Sequence, residues 1–289
     1  MLSIGILLTM VFFATAHASH EIHVDDTQTG IIVPLYRHPG STWDDLIQVK
    51  HDHPSVQIIA IINPANGPGS WNLSYVLGIK KLQSAGIPSL GYVYTSYGAR
   101  NSSEIIADID TYKNWYGTNG IFFDEMEHVP GKEDYYLNLS NYAKSVGLNY
   151  TVGNPGKDVS PSYLGTVDNI VIYEHSGLPT VESLKGWHTK YSKYNFSILP
   201  YGVDKLNAKF VKSASHYVGL IYITDQTLPN PWYSLTTYLD QLTSLVGSTS
   251  DHGKDLDDSS THDHEKDLDN STTSDHEKDL NSMSIQQEQ

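Results

Sequence analysis

Cysteine is absent from all 289 residues of the sequence. Disulfide bridges are therefore excluded, and the folded chain must be held together by its hydrophobic core. Hydrophobic residues make up 39% of the sequence, and the length is sufficient for one large domain or two small ones. These features indicate a globular protein with a substantial core.

Sequence motifs of several common protein classes are also missing. There is no Gly-x-Ser-x-Gly turn, no Walker loop and no stripe of basic residues, which argues against a serine hydrolase, an NTPase and a nucleic-acid-binding protein. No Gly-x-Gly-x-x-Gly follows the first predicted strand, where a dinucleotide-binding fold has it. His51-x-His53 and His175 lack further ligands at suitable positions. We therefore expect neither a catalytic metal nor a cofactor.

The amino-terminal apolar run, residues 4–16, is too short to span a bilayer comfortably. Ala16-His17-Ala18 follows it and has the small-residue pattern of a cleavage site. We predict a secretory signal peptide over residues 1–18, a secreted or cell-surface location, and no stable membrane span after cleavage. Because no Lys or Arg precedes the run, an uncleaved anchor is the alternative.

Negative charge is concentrated at the carboxyl end of the chain. The net charge is −15, and residues 251–289 contribute −9 of it, from twelve Asp and Glu against three Lys. This segment repeats Asp-His-x-Lys-Asp-Leu from Asp251, Asp263 and Asp275, with one Leu as the only large apolar residue of each repeat. Such a segment cannot bury enough surface to offset the entropy of ordering, so we predict a disordered acidic tail over residues 249–289. Metal collection by the histidines of the repeats is the alternative.

Eight short apolar segments alternate with helical patterns between residues 30 and 248. The predicted strands cover residues 31–36, 56–62, 89–94, 120–123, 149–152, 169–173, 196–200 and 218–223. Helical periodicity occurs around residues 43–49, 73–84, 102–112, 134–146, 181–191, 205–213 and 235–246. Eight strands at a spacing of roughly 25 to 30 residues are what a (β/α)8 TIM barrel requires, so we predict a single α/β domain of this fold over residues 30–248. A doubly wound open sheet is the alternative.

The fourth predicted strand ends abruptly in acidic residues, Asp124, Glu125 and Glu127. Ionised groups at the end of an apolar strand are costly unless they reach water, a cation or a bound ligand. Because Asp124 and Glu125 are consecutive, both can face one side only if the chain turns at this point. The alternative is that Asp124 caps a following helix and the glutamates lie on the solvated surface.

Another acid, Glu174, ends the sixth predicted strand, and the carboxyl ends of barrel strands meet at one face. Glycoside cleavage uses two carboxylates, one as acid and one as base or nucleophile, and sequence spacing alone does not separate retaining from inverting geometry. Tyrosine and asparagine accompany the acids at this face, a combination typical of carbohydrate recognition. The candidate substrate-binding residues are Tyr36, Asn63, Asn66, Tyr94, Tyr97, Arg100, Asn154, Tyr201 and Trp232.

Four motifs occur in order within the predicted barrel. They are Asn63-Pro64-x-Asn66-Gly67-Pro68-Gly69, Gly91-Tyr92-Val93-x-Thr95-x-Tyr97-Gly98-x-Arg100, Tyr112-x-x-Trp115-Tyr116 and Gly120-Ile121-Phe122-Phe123-Asp124-Glu125. Together they resemble the spherulin-4 (spherulation-specific) family. The resemblance implies a (β/α)8 glycoside hydrolase acting on galactosamine-containing polysaccharide, in particular the α-1,4-linked N-acetylgalactosamine runs of galactosaminogalactan. It also implies that Asp124, Glu125 and Glu174 are the acidic catalytic groups.

We therefore expect a secreted, endo-acting glycoside hydrolase. Its expected partner is a polysaccharide that contains amino sugars, and we expect no binding of nucleic acid. The alternative is a non-catalytic carbohydrate-binding or cell-surface protein built on the same barrel. The presence of both Glu174 and the Asp124-Glu125 pair favours the enzyme. The fold alone does not decide between them.

Overall fold

The structure, a computed structural model that describes residue 22 and residues 28–251, contains a closed barrel of eight parallel strands in chain order. The barrel closes where β8 pairs with β1 and Gly30 lies opposite Leu220. The strands are β1 Gly30–Leu35, β2 Ile58–Ile62, β3 Ser89–Tyr94, β4 Gly120–Asp124, β5 Tyr150–Asn154, β6 Asn169–Tyr173, β7 Phe196–Ile198 and β8 Leu220–Ile221. The prediction of a (β/α)8 TIM barrel is confirmed.

The α-helices of the first half of the barrel are longer than those of the second half. The α-helices are α1 Ser41–Asp52, α2 Leu73–Ser84, α3 Ser102–Thr111, α4 Glu133–Ser145, α5 Ala208–Ala214 and α6 Leu239–Gly247, and a π-helical turn, Tyr112–Tyr116, extends α3. Short 3-10 turns, at Pro161–Tyr163, Val181–Leu184, Trp187–Lys190 and Lys193–Asn195, take the place of α-helices after β5 and β6.

The helix predicted over residues 181–191 is therefore wrong. The segment forms two separate 3-10 turns with Gly186 between them. This glycine has φ −16° and ψ −135°, outside the helical region. Glycine is among the poorest helix formers, so the apolar periodicity here did not suffice to make a continuous helix.

The last two strands are shorter than predicted. β7 ends at Ile198, and β8 comprises only Leu220–Ile221. The pairing register of β6 shifts between Val171 and Tyr173, which interrupts the regular ladder. Beyond the shift, Leu199 still donates a backbone hydrogen bond to Tyr173 (2.7 Å). The segment after β7 is thus still hydrogen-bonded to the end of β6 at the carboxyl face of the barrel, but not in a regular strand ladder.

Packing between the strands and the helical layer depends on small residues at particular positions. All five residues of β2, Ile58–Ile62, are buried, as expected for a strand covered on both faces. Gly91 in β3 lies under the Tyr112 ring, and a Cβ at this position would be 2.4 Å from the ring. Because Tyr112 is itself fully buried, only glycine fits here without displacing the helical layer.

Two of the predicted segments fall wholly or mainly outside the described residues. These are the signal peptide, residues 1–18, and the acidic tail, residues 249–289, of which the structure describes only residues 249–251. Both stay predictions. Within the described part of the chain, no helix has the length and apolar character needed to cross a membrane.

Candidate active site

The acidic loop, residues 124–127, begins at the last residue of β4 and is held by hydrogen bonds along its main chain. The N–H of Thr95 donates to Asp124 O (2.9 Å), and the N–H of Tyr97 donates to Glu125 O (2.7 Å). On the other side, the N–H of Met126 donates to the main-chain oxygen of Asn154 (2.9 Å). The loop is therefore fixed between the ends of β3 and β5, and its carboxylates have defined positions.

Asp124 receives two side-chain hydrogen bonds from the neighbouring strands. Tyr92 Oη donates to Asp124 Oδ2 (2.6 Å), and Asn154 Nδ2 donates to Asp124 Oδ1 (2.7 Å). Burial raises the pKa of Asp124, while these two hydrogen bonds oppose the rise because they stabilise the ionised form. Asp124 is thus a desolvated carboxylate with both oxygens bonded.

Asn154 forms hydrogen bonds to both Asp124 and Glu174, the acids that were predicted at the ends of different strands. Its buried amide nitrogen donates to Asp124 Oδ1 and also to Glu174 Oε2 (2.5 Å). Both acceptor oxygens lie within 2.7 Å of one nitrogen, so they are at most about 5 Å apart. The amide oxygen of Asn154 accepts from the N–H of Gly156 (2.9 Å), which fixes the amide with its nitrogen toward the acids.

Glu174 has the most perturbed carboxyl group of the site. Trp232 Nε1 donates to its Oε1 (3.2 Å) and Asn154 to its Oε2. Burial, followed by the charge of Asp124, raises the pKa of Glu174 to about 7, against the opposing effect of the two hydrogen bonds. At neutral pH this group exists in both protonated and ionised forms, which suits an acid–base catalyst.

Glu125 adopts the left-handed conformation, with φ 52°. A non-glycine residue in this region is uncommon, and the turn it makes lets two consecutive acids lie on the same side of the chain. The charge of Glu125 also contributes to raising the pKa of the neighbouring Asp124. Its own carboxylate has no hydrogen-bonding partner among the described residues, so it is free to meet a ligand.

Glu127 serves the loop itself. Its Oε1 accepts from the N–H groups of His128 (2.7 Å) and Val129 (3.2 Å), and these bonds lower its pKa. The alternative in which Asp124 caps a helix is wrong, because the next helix, α4, begins only at Glu133. The acids at the end of β4 therefore have different roles. Asp124 belongs to the candidate active site, whereas Glu127 stabilises the turn that follows it.

Aromatic side chains enclose the acids, although with different roles from those predicted. Tyr36 packs edge-on against Tyr92 with ring centroids 5.6 Å apart, and burial followed by the Asp124 charge raises the pKa of Tyr36 well above its usual value. Tyr201 packs edge-on against Trp232 at 6.1 Å. Trp232 is buried, so it acts as a hydrogen-bond donor to Glu174 and not as an open stacking platform.

Several predicted substrate-binding residues make contacts within the protein that explain their presence without a substrate. Asn63 accepts a hydrogen bond from Gly67 N (3.1 Å), and Asn66 is an exposed turn residue with φ 53°. The guanidinium of Arg100 lies 4.2 Å from the centroid of the Tyr94 ring. It also pairs with Asp108 at 2.8 Å. None of the described contacts joins Asn63, Asn66 or Arg100 to the acids.

Tyr97 remains a candidate at the rim of the site. Its side chain is 56% exposed, and its backbone has φ 55°, next to Ser96 with φ 49°. Its N–H group bonds to the acidic loop at Glu125. An exposed aromatic ring on a strained backbone that is bonded to the acidic loop is suited to stacking against a sugar ring.

The sequence analysis missed Tyr92, which donates the shortest bond to Asp124. The available signal was strand alternation: Tyr94 lies opposite Asp124 in the pairing of β3 with β4, and Tyr92 shares its face of the strand. Tyr92 packs against Phe122, which lies two residues before Asp124 on β4, and its long side chain reaches the Asp124 carboxylate.

Within residues 28–251, no group of three or more His, Asp or Glu could hold a metal ion.

Comparison with known proteins places this barrel in a family. Residues 30–246 match the profile described as spherulation-specific family 4. The chain belongs to this family. It is 35% identical to Spherulin-4 of Physarum polycephalum over 244 residues, which cover 78% of this chain and 73% of Spherulin-4.

A solved structure with the same fold is Sph3 from Aspergillus clavatus in complex with GalNAc. The TM-score is 0.69 and the sequence identity 26%, and the similarity covers 76% of this chain and 98% of Sph3. The site described above therefore belongs to a spherulation-specific family 4 barrel that is similar to a GalNAc-binding one.

Proposed function

We propose that this protein is a secreted, endo-acting glycoside hydrolase that cleaves α-1,4-linked N-acetylgalactosamine in galactosamine-containing polysaccharide. The observation that carries the proposal is the pair of carboxylates, Asp124 and Glu174, bridged by the amide of Asn154. Two acids in unlike environments at the carboxyl face of a barrel are what glycosidic cleavage requires. The similarity to Sph3 in complex with GalNAc supports an N-acetylated amino sugar as the ligand.

The roles follow from the environments of the acids. Glu174, whose pKa is raised to about 7, is the general acid that protonates the departing glycosidic oxygen. Asp124, held by Tyr92 and Asn154, is the ionised partner on the other side of the bond. Glu125, whose carboxylate has no hydrogen-bonding partner in the described part of the chain, binds a polar group of the sugar.

The test is incubation of the full chain with α-1,4-linked GalNAc oligosaccharides and with galactosaminogalactan, followed by measurement of new reducing ends. We expect cleavage by the native protein and a loss of about 10²-fold or more in kcat for Glu174→Gln and Asp124→Asn. Glu127→Gln is the matched control and should keep most of the activity, because the Glu127 carboxylate accepts hydrogen bonds only from its own turn. Binding without new reducing ends would overturn the proposal in favour of a carbohydrate-binding protein.

Secretion is part of the same proposal and has its own test. It is supported by the apolar residues 4–16 and the following Ala16-His17-Ala18. Expression of the full chain in its host should release a protein whose amino terminus begins near residue 19. Retention of the intact amino terminus in a membrane fraction would overturn this part of the proposal.

A further inference from the structure

Six Asn-x-Ser/Thr sequons occur in the chain, and five of them lie within the described residues. The five begin at Asn72, Asn101, Asn138, Asn149 and Asn195. A sequon is the acceptor for an N-linked glycan in a secreted protein, and a modified asparagine must lie at the surface because the glycan is bulky. The fold therefore decides which sequons stay open to the solvent.

Three of these five sequons have their hydroxyl residue inside the protein. Ser140, Thr151 and Ser197 are each at most 2% exposed. The hydroxyls of Ser140 and Thr151 bond to each other (2.9 Å), and Ser197 Oγ donates to Asn169 Oδ1 (2.6 Å). In the folded chain these sequons are closed to an enzyme that has to contact the asparagine and the hydroxyl together.

The sequon Asn72-Leu73-Ser74 is open along its length. Leu73 and Ser74 are exposed and Asn72 is half-buried. Asn72 caps α2, because its Oδ1 accepts a hydrogen bond from the N–H of Ser74 (2.9 Å). Its Nδ2, the atom to which an N-linked glycan is attached, donates to none of the described residues and is in contact with solvent. The cap and a glycan therefore use different atoms of one amide, so modification leaves the helix cap intact.

Large apolar side chains flank Asn72 and are open to solvent. Trp71 is 55% exposed, Leu73 52% and Leu77 58%, and the two leucines stand one turn apart on the same face of α2. Asn101 begins the other sequon whose three residues are all exposed, but no exposed large apolar residue lies within that sequon or directly beside it. Sugar rings have apolar faces that pack on aromatic and aliphatic side chains, so the surroundings of Asn72 suit an attached glycan.

We propose that Asn72 carries an N-linked glycan whose first sugars cover Trp71 and the exposed leucines of α2. This inference rests on the secretion that forms part of the proposed function, because these glycans are attached in the lumen of the secretory pathway. The donor is an oligosaccharide linked to a lipid pyrophosphate. Asn72 Nδ2 forms a bond to C1 of the first sugar, the bond from C1 to the pyrophosphate oxygen breaks, and Nδ2 loses one proton.

The experiment secretes the full chain from a eukaryotic host and analyses the proteolytic peptide that contains Asn72 by mass spectrometry. The native protein and Ser74→Thr should carry a glycan on this peptide, and Asn72→Asp and Ser74→Ala should lose it. Ser74→Ala leaves the cap of α2 in place, because the cap uses only the backbone N–H of residue 74. A secreted native protein with an unmodified Asn72 overturns the inference.

A second version of the chain separates this inference from the proposed secretion. In it, residues 1–18 are replaced by a signal peptide of established function, so that the barrel enters the secretory pathway in any case. A glycan at Asn72 in this version alone keeps the acceptor site and rejects the proposed secretion. An unmodified Asn72 in this version, once secreted, overturns the site itself.

The cover over Trp71 is tested by acrylamide quenching of tryptophan fluorescence. Ser74→Ala should be quenched more strongly than the glycosylated native protein, because Trp71 loses its cover, and the difference should vanish when both carry Trp71→Phe. Ser103→Ala destroys the exposed sequon at Asn101; it is the matched control and should leave the quenching unchanged. Equal quenching of the native protein and Ser74→Ala would show that the glycan leaves Trp71 uncovered and would overturn this part of the inference.

Discussion

Met126 packs so closely against Gly153 that a Cβ added to the glycine would lie 2.3 Å from the methionine sulfur. Met126 follows the site acids in the loop after β4 and is fully buried. Its N–H donates to Asn154, the residue after Gly153, so the side chain and the backbone of Met126 both dock the acidic loop on β5. The glycine therefore helps to hold the acidic loop in place.

The first prediction concerns this contact. Gly153→Ala should destabilise the protein by about 1 to 3 kcal/mol through overpacking. It should also lower kcat, because the displaced methionine moves the loop that carries Asp124. Met126→Ala alone should cost about 2 to 5 kcal/mol through the cavity it leaves. In urea unfolding, the double variant should be more stable than the sum of the single effects predicts, because the new methyl group occupies part of the cavity. Strict additivity would show that the two residues do not compete for this space.

The barrel was predictable because its strands are short apolar segments that end in polar residues at regular intervals. Asp124 and Glu174 could be placed at one face from strand order alone, since all parallel strands of a barrel end there. Helix α2 matches its prediction, residues 73–84, because apolar periodicity and the glycine after it agree. These features depend on local sequence.

The remaining features depend on contacts between distant segments. The role of Tyr92 requires the register of β3 against β4, and the bond from Trp232 to Glu174 requires the path of a loop 58 residues away. At the start of α3, Asn101 is the capping residue, and Ser102 and Ser103 directly follow it; all three are good capping types, so composition alone could not choose between them.

The second prediction concerns the pH dependence of activity. If Glu174 is the general acid, kcat/KM should fall as the pH rises through about 7, where this group loses its proton. The Trp232 bond lowers the pKa of Glu174, so Trp232→Phe should raise that pKa and move the alkaline limb up by about half to one pH unit. Tyr201→Phe, which alters the neighbour of Trp232 without touching Glu174, should leave the limb in place. A limb that does not move in Trp232→Phe would remove Glu174 from the role of acid.

The third prediction concerns stability. The folded-state pKa of Glu174, about 7, lies above the usual 4.5, so the folded protein holds this proton more tightly than the unfolded chain. Its contribution to the free energy of unfolding is therefore fully present below pH 4.5 and is lost as the pH rises to about 7. Relative to the native protein, Glu174→Gln should become more stable between pH 5 and pH 8, by an amount on the order of 3 kcal/mol at most.

Glu127 supplies a control for that measurement, because its pKa is shifted in the opposite direction from that of Glu174. Hydrogen bonds from Val129 and His128 lower its pKa, so its contribution is present at neutral pH and is lost as the pH falls through the folded-state pKa. Glu127→Gln should therefore show no relative gain at pH 8. If the two variants changed in parallel with pH, the effect would belong to net charge and not to the burial of Glu174.

The last prediction concerns a buried chain of hydroxyl groups beneath the acids. Thr95 Oγ1 bonds to the main-chain oxygens of Asp124 (3.0 Å) and Glu125 (2.8 Å), and to Tyr136 Oη (3.0 Å). Tyr136 Oη in turn accepts from Glu127 N (2.8 Å). Because the Thr95 hydroxyl donates its proton to the two carbonyl oxygens, the Tyr136 hydroxyl must donate to Thr95. The hydrogen bonds therefore run in one direction, from Glu127 N through Tyr136 and Thr95 to the carbonyl oxygens. It holds the left-handed turn at Glu125.

Thr95→Val and Tyr136→Phe should each lower kcat by about 10-fold with KM little changed, because a misplaced acid affects the transition state more than binding. Thr95→Ser should restore most of the activity, since it returns the hydroxyl group. Tyr163→Phe is the matched control: it removes the bond from another buried tyrosine to Val129 O (2.7 Å), in the same loop but beyond the acids. Its stability cost should be similar, about 1 kcal/mol, with kcat nearly unchanged. Equal losses of kcat in Tyr136→Phe and Tyr163→Phe would mean that the hydroxyl chain stabilises the fold without positioning the acids.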